Sequence, residues 1–125
     1  MTKFTLIIPC YNEAENIQKL AIQISNLKRF VRFDTILVNN GSTDSTKIKL
    51  ETLKKKNKIK KLNIINIKKN IGFGNAIKKG ILKSKTKIVC YTHADLQTDI
   101  KDVLTAFDIF SESKNKNIFV KGFRK

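Results

Sequence analysis

Apolar runs in this 125-residue chain are short, and none approaches the roughly 20 residues that a membrane span needs. Cysteine is scarce: Cys10 and Cys90 are the only two, and each lies inside an apolar run, where a free thiol behaves as a small hydrophobe. That argues against a disulfide-stapled scaffold and for reduced, structural thiols. Acidic residues are also few, 10 against 26 Lys and Arg, which leaves a formal net charge of +16. Such a balance calls for an anionic partner: nucleic acid, an acidic membrane surface or a phosphorylated substrate. Of the 26 basic residues 23 are Lys, and neither a zinc-finger spacing nor a ribonucleoprotein signature accompanies them, so the charge does not by itself specify nucleic acid. The length suits one domain with one core, 1–125. Met1-Thr2-Lys3 leads straight into a strand-like run and not into a signal peptide, so the expected location is cytoplasmic.

Strand and helix patterns alternate along the chain. Phe4 to Pro9 is a nearly continuous apolar run closed by a proline, as for a strand buried on both faces. Asn12 followed by Glu15 resembles a capping box, and Ile17, Leu20, Ala21, Ile24 and Leu27 then recur at helical spacing. Thr35 to Val38 predicts a second strand, and Asn39-Asn40-Gly41-Ser42 a turn, with Thr43-Asp44 capping a helix that ends in the lysine-rich Lys54 to Lys61. Leu62 to Ile67 and Lys87 to Tyr91 predict strands on either side of a helix opened by Asn70-Ile71-Gly72-Phe73-Gly74-Asn75. A last helix, capped by Thr98 or Asp99, would bury Ile100, Val103, Leu104, Phe107 and Phe110, and Ile118-Phe119-Val120 predicts a final strand. This alternation argues for an α/β fold with a mostly parallel central sheet and helices on both faces.

The polar clusters follow the strands, where open α/β sheets bind ligands. In an extended chain His93, Asp95 and Gln97 would point to one side, an imidazole, a carboxylate and an amide oxygen suited to a divalent ion. Tyr11-Asn12-Glu13 and Asn39 to Asp44 share that address. Singly, each cluster reads equally well as a strand end, a helix cap or a turn; three in one order carry more weight.

Ile7 to Ile17, Val38 to Asp44, Asn70 to Gly74 and Ala94 to Gln97 together resemble the successive signatures of family 2 glycosyltransferases with the Rossmann-like GT-A fold, closest to the dolichyl- or polyprenyl-phosphate mannosyl- and glucosyltransferase branch. The resemblance implies that Pro9, Tyr11 and Glu13 contact the nucleoside of a UDP- or GDP-sugar, with Val38 and Asn40 beside base and ribose. It makes Ala94 part of the same site and Asp95 the second carboxylate of the Asp-x-Asp motif, binding Mg²⁺ or Mn²⁺. His93 and Gln97 would be the further metal-side positions, and Val120 to Arg124 resembles a Gly-x-Arg segment that makes Arg124 a phosphate contact. The implied reaction is displacement at the sugar's anomeric carbon with inversion, the acceptor being a lipid phosphate or a saccharide at an anionic membrane face, with no nucleic acid involved.

The chain departs from the family pattern twice. Asn39-Asn40 stands where Asp-Asp is usual, and His93 where the first metal-motif Asp is usual, which shifts the expected ion towards Mn²⁺. An acceptor-side half normally follows, and Lys125 falls where it would begin, so the chain is expected to be the donor-binding part alone. The resemblance also sets the two cysteine strands side by side, which would bring Cys10 near Cys90. Two other readings compete. A non-catalytic nucleotide- or nucleic-acid-binding α/β domain would exploit the charge. A nucleotidyltransferase would need a Gly- and Lys-rich loop after the first strand, which Pro9 to Glu13 lacks.

Overall fold

The computed structural model describes residues 1–122. Four strands, β1 (Phe4–Cys10), β2 (Phe33–Asn40), β3 (Leu62–Ile67) and β4 (Val89–Tyr91), alternate with α1 (Ile17–Leu27), α2 (Thr46–Lys55), α3 (Phe73–Lys83) and α4 (Asp102–Glu112). The sheet is parallel throughout, in the order β3-β2-β1-β4.

Strand β1 is central and every residue of it is buried, which is why its sequence is apolar on both faces. Its alternation sorts the core into two layers. Phe4, Leu6, Ile8 and Cys10 face α1, Leu50 of α2 and Val103 of α4, with Phe33 and Leu37 of β2 beside them. Phe4 stacks on Phe33 at 4.9 Å between ring centroids and meets Phe107 at the same distance. On the other face Ile7, Ile36 and Val38 pack with Ala76 of α3. Helix α3 lies close there because Gly80 has no side chain; a Cβ would stand 2.5 Å from Ile7 Cγ2.

Several local readings change. Asn12 does not cap α1, which begins a turn later at Ile17 with Asn16 as its N-cap and no side-chain cap. Asn39 and Asn40 belong to β2 and not to a turn, because their amides find partners across the fold: Asn39 Nδ2 donates to Asn66 Oδ1, and Asn40 bonds the β3–α3 loop. Ile118 to Val120 forms no strand, and Phe119 is left 70% exposed. The two cysteine strands are neighbours, yet Cys90 pairs with Leu6, four residues before Cys10. At about 3.3 Å per residue the two thiols lie roughly 13 Å apart along the strands, beyond any disulfide reach. Both are free.

Candidate active site

A cleft of about 160 Å³ opens at the C-terminal ends of β1, β2 and β4. Pro9, Cys10, Tyr11 and Glu13 line it from β1 and its loop, Asn40 from β2, Asn70 and Phe73 from the start of α3, and His93, Ala94 and Asp95 from the segment after β4.

The floor is built by interlocking loops. Asn12 takes a left-handed backbone, φ 51°, which turns its side chain back over the β2–α2 loop. Its Oδ1 accepts from the backbone N–H of Thr43 at 2.8 Å and of Asp44 at 3.3 Å, while its own N–H donates to Ser42 Oγ at 3.0 Å. Glu13 N–H donates to Thr46 Oγ1 at 2.9 Å, and Ala14 N–H to Asp44 Oδ2 at 3.3 Å. Desolvation works to raise the Asp44 carboxyl, but the Thr46 hydroxyl and backbone hydrogen bonds, with Ala14's, outweigh it and leave the pKa below the ordinary value. These residues hold the loop that presents Tyr11, which is 45% exposed.

Asn40, 3% exposed, fixes the opposite wall. Its Nδ2 donates to Asn70 Oδ1 at 3.1 Å and to Gly72 O at 3.3 Å, and its Oδ1 accepts from Ile71 N–H at 3.0 Å. Next to it Gly41 has φ 72°, and a Cβ there would stand 2.3 Å from the Asn70 nitrogen and 2.4 Å from the Lys69 carbonyl carbon. Only glycine fits that approach. The wall so held presents Phe73, whose ring stacks on His93 at 4.4 Å and 9°.

Strand β4 stops at Tyr91 and the chain then bends, with Leu96 at φ 62°, so the two-residue alternation expected of His93, Asp95 and Gln97 is broken. His93 and Asp95 line the cleft; Gln97 is exposed and does not. Asp95 Oδ1 accepts from Gln97 N–H at 3.1 Å, and its other oxygen makes no hydrogen bond among the described residues. Face-on stacking of His93 leaves its ring nitrogens, which bind in the ring plane, unobstructed by Phe73. Val38 is fully buried in the smaller core layer and does not line the cleft. Arg124 lies outside the described residues.

Pro9, Tyr11, Glu13, Asn40, His93, Ala94 and Asp95 therefore come together as the sequence implied. Asn70 and Phe73 are added to the site; the signal for them was the Asn70 to Gly74 motif, read as the opening of a helix and a family signature without a role for either side chain. Cys10 is added too, though its thiol is pushed up to about 12, chiefly by burial and then by the Glu13 charge, so it is an inert neighbour.

Among the described residues the lining carries two carboxylates, Glu13 and Asp95, and no Lys or Arg. A diphosphate held here would meet negative charge, so a divalent cation fits the donor set. Among the described residues no three His, Cys, Asp or Glu side chains stand close enough together to hold a metal ion by themselves.

Residues 5–123 match the family described as glycosyl transferase family 2. The dolichyl-phosphate beta-glucosyltransferase of Dictyostelium discoideum is 29% identical over 121 residues, 91% of this chain and 37% of the relative. The dolichol-phosphate mannosyltransferase of Pyrococcus furiosus is 30% identical over 95 residues, 76% of this chain and 26% of the relative. The chain thus spans well under half the length of either. Among solved structures, Staphylococcus aureus TarS 1-349 in complex with UDP-GlcNAc superposes with a TM-score of 0.68 at 22% identity, over 89% of this chain and 32% of that one. The mannosyltransferase PcManGT from Pyrobaculum calidifontis, in complex with GDP-Man and Mn²⁺, gives 0.66 at 22% identity, over 74% of this chain and 27% of that one. The fold is that of the GT-A glycosyltransferases, and with a match running over almost its whole length the chain belongs to glycosyl transferase family 2.

Proposed function

We propose that this chain is the donor-binding unit of a hexosyltransferase that holds a UDP- or GDP-sugar in the cleft and passes the sugar, with inversion, to a polyprenyl phosphate or a saccharide. The observation that carries this reading is the cleft itself: residues of four separated motifs meet there, and among the described residues its charged lining is Glu13 and Asp95, in a chain of +16. Nucleic acid would seek the lysines and avoid Glu13 and Asp95, so the charge alone does not favour a nucleic-acid-binding role.

In this reading Pro9 and the Tyr11 ring hold the nucleoside on the β1 side. Glu13, tied through its backbone to Thr46 and through its carboxylate to Asn16, keeps a fixed place at the rim. Asn40 acts as a positioning residue through Asn70 and Phe73. Asp95 would hold Mg²⁺ or Mn²⁺ through the oxygen that Gln97 leaves unengaged, with His93 as the adjoining nitrogen donor. When bound, the ion neutralises charge developing on the leaving diphosphate. His93 is kept in place by Phe73 whether or not it ligates. Relatives named for dolichyl phosphate support a lipid-phosphate acceptor, and so a site of action at the cytoplasmic face of an anionic membrane.

Calorimetric titration with a panel of UDP- and GDP-sugars, with and without Mn²⁺, tests the proposal. Saturable binding of one nucleotide class that requires the ion is expected. Binding indifferent to the ion, or no donor binding beside tight and steeply salt-dependent DNA binding, would replace this reading with the nucleic-acid one.

A further inference from the structure

The positive charge is not spread evenly. From Thr52 to Ala94 the sequence holds 13 lysines and no acidic residue, while all 10 carboxylates lie outside that stretch. All 13 lysines are exposed. The stretch includes α3, the one helix that covers its face of the sheet among the described residues. Helix α3 turns Ala76 and Gly80 to the sheet, so its outer side carries Lys78 and Leu82 one turn apart, with Lys79 and Lys83 along one edge of that side and Ile81 along the other. Leu82 is 80% exposed and Ile81 43%. Lys85 and Lys87 follow in the connection to β4. Asp34, at the start of β2, turns to this face by strand alternation; it is half-buried and its charge acts on Lys28.

An outer face that combines several lysines with two adjacent exposed aliphatic side chains fits one partner best. Lysines bring it to a layer of anionic headgroups, and Ile81 and Leu82 can enter the boundary beneath them. Nucleic acid would use the charge and gain nothing from the aliphatic pair. We propose that the outer face of α3, centred on Lys78, Lys79, Leu82 and Lys83, is the surface by which this chain lies on an anionic lipid membrane. The proposal rests on the lipid-acceptor reading for its purpose alone, because vesicle binding is measured without donor or acceptor. Helix α3 has Phe73 at the cleft and runs about 16 Å to the far end of the sheet. A membrane along its flank would leave the cleft mouth at the edge of the contact.

Co-sedimentation with vesicles of phosphatidylcholine, with and without phosphatidylserine, tests it, beside titration with a DNA duplex. Wild type is expected to bind only the phosphatidylserine vesicles and to release in high salt. Replacing Lys78, Lys79, Lys83 and Lys85 with Gln should weaken that binding at least about 100-fold, since each lysine near the surface contributes about 1 kcal/mol. The pair Ile81→Ser and Leu82→Ser should weaken it about 10-fold and leave any DNA affinity unchanged. Gln at Lys54, Lys55, Lys56 and Lys58, on the far side of the sheet, is the control and should cost less than a third as much as the α3 set in log units. All variants should keep the wild-type circular dichroism spectrum and donor affinity. Equal losses from the two lysine sets, an unaffected Ser pair, or DNA binding tighter than vesicle binding would overturn the proposal. Absence of nucleotide-sugar binding would leave it standing and count against the donor-site reading alone.

Discussion

Asn40→Asp brings position 40 to the residue usual in the family, and it should nonetheless destabilise this chain. The wild-type amide donates two hydrogen bonds, to Asn70 Oδ1 and Gly72 O, from a side chain that is 3% exposed. A carboxylate cannot donate either, so two bonds worth about 1 kcal/mol each are lost. It also sets a buried charge against two oxygens, at a further cost of about 1–3 kcal/mol. The acceptors themselves are not orphaned, because Asn70 Oδ1 also takes Gly72 N–H and Gly72 O takes Ala76 N–H. The sum is about 3–5 kcal/mol at neutral pH. Burial and the facing oxygens raise the folded pKa of the new carboxyl above its unfolded value. The deficit should therefore be smaller near pH 4, close to the ordinary Asp pKa of about 3.9, and grow as pH rises towards the folded pKa, above which it levels off. Urea unfolding of both proteins from about pH 4 to 7 reads this directly. His93 is the only histidine, so its ring protons report the Phe73 stack without ambiguity, and their ring-current shift should collapse in the variant. A variant as stable as wild type at pH 7, or one whose deficit shrinks with rising pH, would refute the reasoning.

Gly41→Ala should cost more than about 3 kcal/mol, combining a left-handed backbone with a Cβ driven into the Lys69–Asn70 peptide; its urea midpoint checks this. Burial pushes Cys10 up to about 12 and Cys90 up to about 11, so both stay protonated in the native protein at ordinary pH. Thiol reagent should find neither quickly before unfolding and both after it, in protein purified without reductant; loss of both thiols would contradict their separation. Because each folded thiol pKa is raised, both work against stability as pH rises above about 8.5, where the unfolded thiols ionise first. His93→Asp should move the preferred ion for donor binding from Mn²⁺ towards Mg²⁺, measured by titration in each metal.

The parallel sheet and its helices were legible because the strands are short apolar runs and α1 repeats at helical spacing. What escaped was set by partners far along the chain. Asn12 looks like a cap locally, but its acceptor oxygen serves Thr43 and Asp44, some thirty residues on. Asn39 and Asn40 look like turn formers, and remain in β2 because Asn66 and Asn70 answer their amides. Alternation placed Gln97 beside Asp95, but it holds only while a strand continues, and β4 ends at Tyr91. The cysteine distance depended on register, which no local pattern near Cys10 or Cys90 encodes. Val38, grouped with base and ribose by resemblance, is claimed by the core because its strand parity turns it under α3.

Asp95→Asn tests the central claim most directly. Asp95 is the only carboxylate in its motif, and one of its oxygens is already engaged by Gln97. The amide keeps that hydrogen bond and removes the hard anionic ligand, so the fold should be preserved. Titration of the preferred nucleotide-sugar with and without Mn²⁺ should show that the metal-dependent part of binding is gone, with the unfolding curve unchanged. Unchanged affinity and unchanged metal dependence in a folded Asp95→Asn protein would contradict the metal-bridged donor site.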